Sequence, residues 1–298
     1  MDALTLRDIL EIDAYARVRD QYRPRVMAHK KQRRVSVGPR VSLVFEDRET
    51  LRYQIQEMTR VERTTDPEKI QIELDVYNEL VPGPGELSAT LFIEIPELDA
   101  IQPELDRLVG IDEHVALVLD GLEDEPVVAR FDDRQMEEDR ISAVHYLRFT
   151  FSDAQLAAWR TGAGARLRID HANYQHESPI EGVTRESLSR DLENETPSLL
   201  DPEEMQRARE ATDEILLETL RVRARRLSPP GKAERVVVES VGHDGRFLDA
   251  DAELITELVT TAQQVARQVQ DGAGAARVRV DWLAGERGPL RIEIQAIR

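Results

Sequence analysis

HKKQRRVSVGPRVSLVFEDRETLRYQIQEM, residues 29–58, decides how the first part of this chain folds. It opens on the last turn of a helix, because Tyr15, Val18, Tyr22 and Val26 recur at helical spacing between Asp13 and Arg34. Pro24 lacks the N–H that bonds one turn back, so it is expected to kink this helix or begin a second one. Val35 to Val37, Gly38-Pro39 and Val41 to Phe45 then read as strand, turn and strand. Asp47 is placed to cap a following helix whose buried stripe is Leu51, Ile55 and Met58. Helix, hairpin and helix in so short a span is the beginning of an α+β fold.

Working outward, Asp66-Pro67 opens another helix with Ile70, Leu74 and Tyr77 inward, and the PGPG loop within Val81 to Glu86 closes this helical part. Ala89 to Ile95, Val115 to Leu119, Val127 to Phe131 and His145 to Phe151 are β-branched or aromatic runs and read as strands, with a helix between Pro96 and Val109. Ser152 and Gln155 form a capping-box pattern for a helix ending at Gly162, followed by a strand from Ala165 to Asp170. The expected architecture is N-terminal helices packed on a mixed or antiparallel sheet.

After Asp191 the acidic, apolar-poor LENETPSLLDPEE marks a linker. Asp201-Pro202 starts a helix expected to reach about Arg226, and LSPPGK breaks the chain again. The end reads strand, long helix, strand, strand. The predicted organisation is therefore an α+β domain at 1–195, a helical connector at 196–233 and a β-α-β-β extension at 234–298. That extension is short for an independent domain and is expected to close against the first sheet. TGAGARLRID at 161–170 and DGAGAARVRVDW at 271–282 echo one another, but both lead from helix into strand. A phosphate cradle needs the reverse order, so glycine acts here as a helix stop.

Composition narrows the function classes. A net charge of -18 over 298 residues repels phosphate at long range and argues against nucleic acid and anionic membrane surfaces as partners. The absence of cysteine excludes disulfides, thiolate metal sites and a cysteine nucleophile. MDALTLRDILEIDAYARV has acids early and no unbroken apolar core, and no run is long enough to span a membrane, so a cytoplasmic location is expected. No cofactor-binding signature appears.

Against that acidity, residues 29–58 carry seven Lys and Arg. His29 continues the apolar stripe of Val18, Tyr22 and Val26, while Lys30, Lys31, Arg33 and Arg34 fan around the helix end. Cations there complement the helix dipole by ~0.3 to 1 kcal/mol each, and four exceed what one cap needs. On the next helix Tyr53, Gln56 and Glu57 share a polar stripe, and Arg48 precedes them. Two readings follow. One is a salt-bridge network in which Glu46 or Glu57 pairs with Arg33 or Arg34. The other is an anion-binding or partner-docking surface of Lys30, Lys31, Arg33, Arg34, Arg48, Tyr53 and Gln56, with His29 and Glu57 as proton-transfer groups. His171 and His176 in DHANYQHE are five residues apart, matching no defined metal-ligand spacing, and read as a loop. His145 reads as a sheet-face histidine.

The words RVMAHKKQRRVSVGP, FEDRETLRYQIQEM, ELDVYNELVPG, ATLFIEIP, SAVHYLRF and DHANYQHE, in that order, resemble the bacterial domain of unknown function family 3501 over about the first 190 residues. The resemblance carries over the polar residues of those words: His29, Lys30, Arg33, Arg34, Glu46, Asp47, Arg48, Tyr53, Gln54, Gln56, Glu57, Asn78, His145 and His171. It implies, by gene association, a role beside a rubrerythrin-like protein and an iron–sulfur oxidoreductase. An accessory protein docking such an acidic partner, or holding a small anion, is the leading expectation. An enzyme for a small anionic substrate and a histidine/carboxylate metal-binding protein are the alternatives.

Overall fold

In the computed structural model, helix α1 (Ile12–Gln32) runs into a hairpin of β1 (Arg34–Val37) and β2 (Val41–Glu46), followed by α2 (Arg48–Glu62). The structure describes all residues except 97–100, 133–140, 212–213, 228–233, 244–248, 274–276, 284–289 and 298. α1 passes through Pro24 as one helix rather than starting a second. Proline removes one backbone bond, but Tyr22 and Val26 are completely buried on either side of it, and their packing holds the turn in place. Asp47 caps α2: its Oδ1 accepts the N–H of Glu49 at 3.0 Å and of Thr50 at 2.8 Å. Thr50 Oγ1 accepts the Asp47 N–H in return, at 2.9 Å.

The chain divides into two units, the first made of Met1–Ile9, Gln21–Glu57 and Asp66–Leu199. Its remaining elements are α3 (Pro67–Asn78), β3 (Glu86–Ile93), α4 (Ile101–Asp106), β4 (Val115–Leu119), β5 (Val127–Phe131), β6 (Val144–Thr150), α5 (Asp153–Arg160), β7 (Ala165–His171), β8 (Tyr174–Pro179) and α6 (Gly182–Leu192). The strands form one antiparallel sheet in the order β1-β2-β3-β6-β5-β4-β7-β8. Alternate residues such as Val37, Leu43, Phe45, Leu91, Phe149 and Leu167 turn into a common core, joined by Trp159 of α5 and Leu188 of α6. Each such side chain contributes about 1.5 to 3 kcal/mol by leaving water.

The sheet curls until its two edges are stitched by side chains. The Tyr174 hydroxyl donates to Val37 O at 2.7 Å and accepts the N–H groups of Arg40 at 3.0 Å and Val41 at 3.1 Å. Ser178 Oγ donates to Ser36 O at 2.5 Å. The result is a nearly closed barrel, which shields edges that would otherwise present unpaired backbone groups. Gly38 makes this closure possible: its φ is +75°, and a Cβ there would sit 2.5 Å from the His176 ring and 2.7 Å from the Tyr174 hydroxyl.

The second unit comprises Leu10–Asp20, Met58–Thr65 and Leu200–Arg298. The helix expected from Asp201-Pro202 is α7 (Pro202–Glu210), where Asp201 and Glu204 form a capping box, but it ends there instead of reaching Arg226. Glu214–Glu218 is β9 and Val222–Arg226 is β10. The period-two pattern of Val222 and Ala224, both completely buried, decides for strand over helix once β11 (Arg235–Ser240) is available as a partner. With α8 (Ala252–Ala273), β12 (Arg277–Leu283) and β13 (Arg291–Ile297), they make a five-stranded antiparallel sheet, β12-β13-β11-β10-β9. The tail therefore builds a sheet of its own rather than extending the first. Leu254, Leu258 and Val265 of α8 pack on Val222, Val236, Val238, Ile292 and Ile294. The opposite face carries Arg225, Arg235, Glu239, Arg291 and Glu293. No described helix is long and apolar enough to cross a membrane.

Candidate functional site

The end of α1, the start of α2 and the end of α6 meet around Arg33. This side chain is 0 % exposed, and every nitrogen of its guanidinium is engaged. Nε donates to Phe45 O at 2.8 Å, Nη1 donates to Ser187 Oγ at 2.9 Å and faces Asp47 Oδ2 at 3.3 Å, and Nη2 donates to Glu46 O at 3.2 Å and to the Asp191 carboxylate. His29 Nε2 lies 2.6 Å from the same Asp47 oxygen. Thr196 Oγ1 donates to Asp191 Oδ1 at 2.9 Å.

Burial alone raises both carboxyl pKa values, and the outcome differs with the partners. At Asp47 the desolvation is outweighed by the Arg33 charge and the His29 hydrogen bond, which bring the carboxyl below its ordinary range. At Asp191 burial wins over Arg33 and is reinforced by repulsion from Asp47, so its pKa is raised. One guanidinium cannot fully balance two buried anions. His29 stands on the side of the better-compensated one.

The structure places the other predicted residues around this centre. Lys30 Nζ is 3.7 Å from Glu46 Oε2, and Glu46 Oε1 accepts from Thr90 Oγ1 at 2.8 Å. Glu46 is 5 % exposed and its Oε2 has no hydrogen bond. Arg34, 44 % exposed, pairs with Glu94 on the outer face of the sheet. Arg48 pairs with Asp8 at 2.6 Å. Tyr53 and Gln56 are buried, Tyr53 against the Tyr22 ring at 5.8 Å, and Glu57 is half-buried. Lys31 is exposed and makes no ion pair among the described residues.

A second feature lies on the outer face of β3, β5 and β6. Register aligns Glu46, Ser88, Arg148 and Arg130 in one row across four strands. Ser88, Arg130, Tyr146 and Arg148, with Glu79, Leu80, Phe131, Asp132 and Leu147, line a groove of about 340 Å³. The Tyr146 and Tyr77 hydroxyls are hydrogen-bonded at this face, and Gln54 also bonds Tyr77. Burial and the neighbouring Tyr146 push the Tyr77 pKa up to about 12.

The model of a family described as a protein of unknown function (DUF3501) matches residues 3–192. The chain belongs to the DUF3501 family. A crystal structure of a protein of unknown function from Burkholderia pseudomallei is 41% identical, covers 64% of this chain and 100% of its own, and aligns with a TM-score of 0.60. A comparison with curated proteins found no match. The Arg33 cluster and the groove both lie inside the matched DUF3501 region.

The histidines of this region are structurally committed. His171 Nε2 is 3.1 Å from Val109 O, and its Nδ1 accepts the Asn173 N–H at 3.3 Å. The His176 ring packs on Tyr174 at 4.5 Å beside Gly38. His145 is buried with Nε2 2.7 Å from Ser142 O, and burial lowers its pKa. Among the described residues no group of three His, Asp or Glu is placed to hold a metal. Sequence reading missed Ser187 and Asp191, whose signal was a polar pair beside the apolar Leu188 and Leu192 of α6. It also missed Arg130 and Ser88, outward members of alternating strands.

Proposed function

We propose that this DUF3501 protein is an accessory binding protein that docks an acidic protein partner through the solvent side of α1. The observation that carries this reading is the uncommitted charge on that helix. Arg23 and Lys31 are exposed, lie about 12 Å apart along the axis, and make no ion pair among the described residues of a chain with a net charge of -18. Arg33, Tyr53 and Gln56 are buried, so a surface role falls to Arg23, Lys31 and the half-buried Lys30 beside them. His29 is only 8 % exposed and bonded to Asp47, which favours docking over proton transfer.

The family association names the partner to try: a rubrerythrin-like protein or iron–sulfur oxidoreductase encoded beside the gene. Titration calorimetry of the full chain against that purified partner is expected to show binding at low salt that weakens as salt rises, since exposed charge pairs are screened over ~10 Å at 0.1 M. The double reversal Arg23→Glu/Lys31→Glu is expected to abolish it. Unchanged affinity in the reversal variant, or no binding at low salt, would overturn the proposal.

A further inference from the structure

Arg130 stands on β5 with its guanidinium exposed and makes no ion pair or hydrogen bond among the described residues. Its partner directly across the antiparallel pair is Arg148. Like charges opposed on neighbouring strands cost stability. Arg148 is compensated, because it pairs with Glu86 and donates to Glu79 O. Arg130 has no such counter-charge among the described residues. The groove in front of it continues past the buried Ser88, and its outward apolar surface is Leu80 and the Tyr146 ring, since Phe131 and Leu147 turn into the core.

We propose that this groove is a binding site for a small organic monocarboxylate, with the carboxylate on the Arg130 guanidinium and the apolar body along Leu80 and the Tyr146 ring. A planar guanidinium presents two parallel N–H donors, which match the two oxygens of a carboxylate. Among the described residues one positive charge is uncommitted there, and Asp132 and Glu79 also line the groove. A dianion such as phosphate would face those two carboxylates with a single cation to balance it. The volume of about 340 Å³ suits a short aliphatic or single-ring acid. This site is separate from the α1 docking surface and does not depend on it.

The test is calorimetry and thermal shift of the full chain with butyrate, hexanoate, benzoate and inorganic phosphate. At least one carboxylate is expected to bind and raise the Tm, and phosphate is not. Arg130→Gln should weaken that binding by roughly tenfold or more, the loss expected for a charge-assisted pair. Arg130→Lys, which keeps the charge but not the fork, should fall between. Both Arg130 variants are checked for folding by circular dichroism, and should one fail to fold the other carries the comparison. Absence of carboxylate binding at millimolar concentration, binding of phosphate instead, or equal affinity in folded Arg130→Gln and Arg130→Lys chains would overturn the assignment.

Discussion

Arg33 is completely buried and lies between Asp47 and Asp191, whereas Arg225, on the charged face of the five-stranded sheet, is 15 % exposed and shares Glu239 and Asp13 with Arg291. Both regions crowd arginines against carboxylates. They differ in redundancy and in water. In the DUF3501 region one cation serves two anions with no solvent to take over if it is lost. On the second sheet Asp13 and Glu239 each face two guanidinium groups, and the groups keep partial hydration. A buried ion pair stabilises little over an apolar replacement, yet removing one member strands the rest. The first cluster therefore works as a keystone between α1, α2 and α6, and the second as a distributed seam.

The largest test of that contrast is Arg33→Met, which leaves Asp47 and Asp191 buried without a cation. Chemical denaturation is expected to show a loss of about 3 to 5 kcal/mol. A loss below about 1 kcal/mol would mean that water or rearrangement replaces the guanidinium, and the contrast would collapse.

The acid limb sharpens it. Asp47 has a lowered pKa in the fold, so its contribution is complete above the unfolded value of 3.8 and is lost as pH falls through the folded value, about 2. Asp191 has the opposite sign: its raised pKa favours the fold below the unfolded value and loses that contribution as pH rises through the folded one. Asp47→Asn keeps the helix cap but removes the charge. It should lower stability at neutral pH by about 2 kcal/mol and flatten the decline between pH 4 and pH 2. An acid limb unchanged from the unaltered chain would show that Asp47 is not its source.

On the second sheet, Arg225→Gln should cost only about 1 kcal/mol by the same denaturation measurement, because Arg291 remains near both Asp13 and Glu239. A cost equal to that of Arg33→Met would erase the distinction between keystone and seam. The smallest effect belongs to the exposed Arg34–Glu94 pair, where Arg34→Gln should change stability by no more than about 0.5 kcal/mol. This variant sets the baseline for an arginine that solvent already serves.

Much of the fold was legible before any coordinates. The Asp47, Asp66, Ser152 and Asp201 caps, the Gly38 turn and the barrel strands β1 to β7 follow from local hydrogen-bond chemistry and from period-two alternation, which act over a few residues, whereas β8, carrying His176, lies in a stretch read as a loop. Residues 214–226 misled because a strand whose partners lie further along the chain looks locally like an amphipathic helix. The cluster was half visible. His29, Arg33 and Glu46 stood out as a charge group, and pairing within the molecule was one of two readings of it, with Glu46 or Glu57 expected where Asp47 is the partner of Arg33. Asp191, which completes it, is 158 positions from Arg33.

What the sequence by itself determined was the order and type of most elements, the membership of the N-terminal part in its family, and the presence of an unusual knot of charge in an acidic chain. Only the tertiary structure decided where that charge points. Whether a guanidinium meets solvent or a carboxylate depends on strand register and on which helix is packed over it. Register placed Arg130 opposite Arg148 and left it without a counter-charge among the described residues, while the packing of α6 brought Asp191 to Arg33 and closed it off from water.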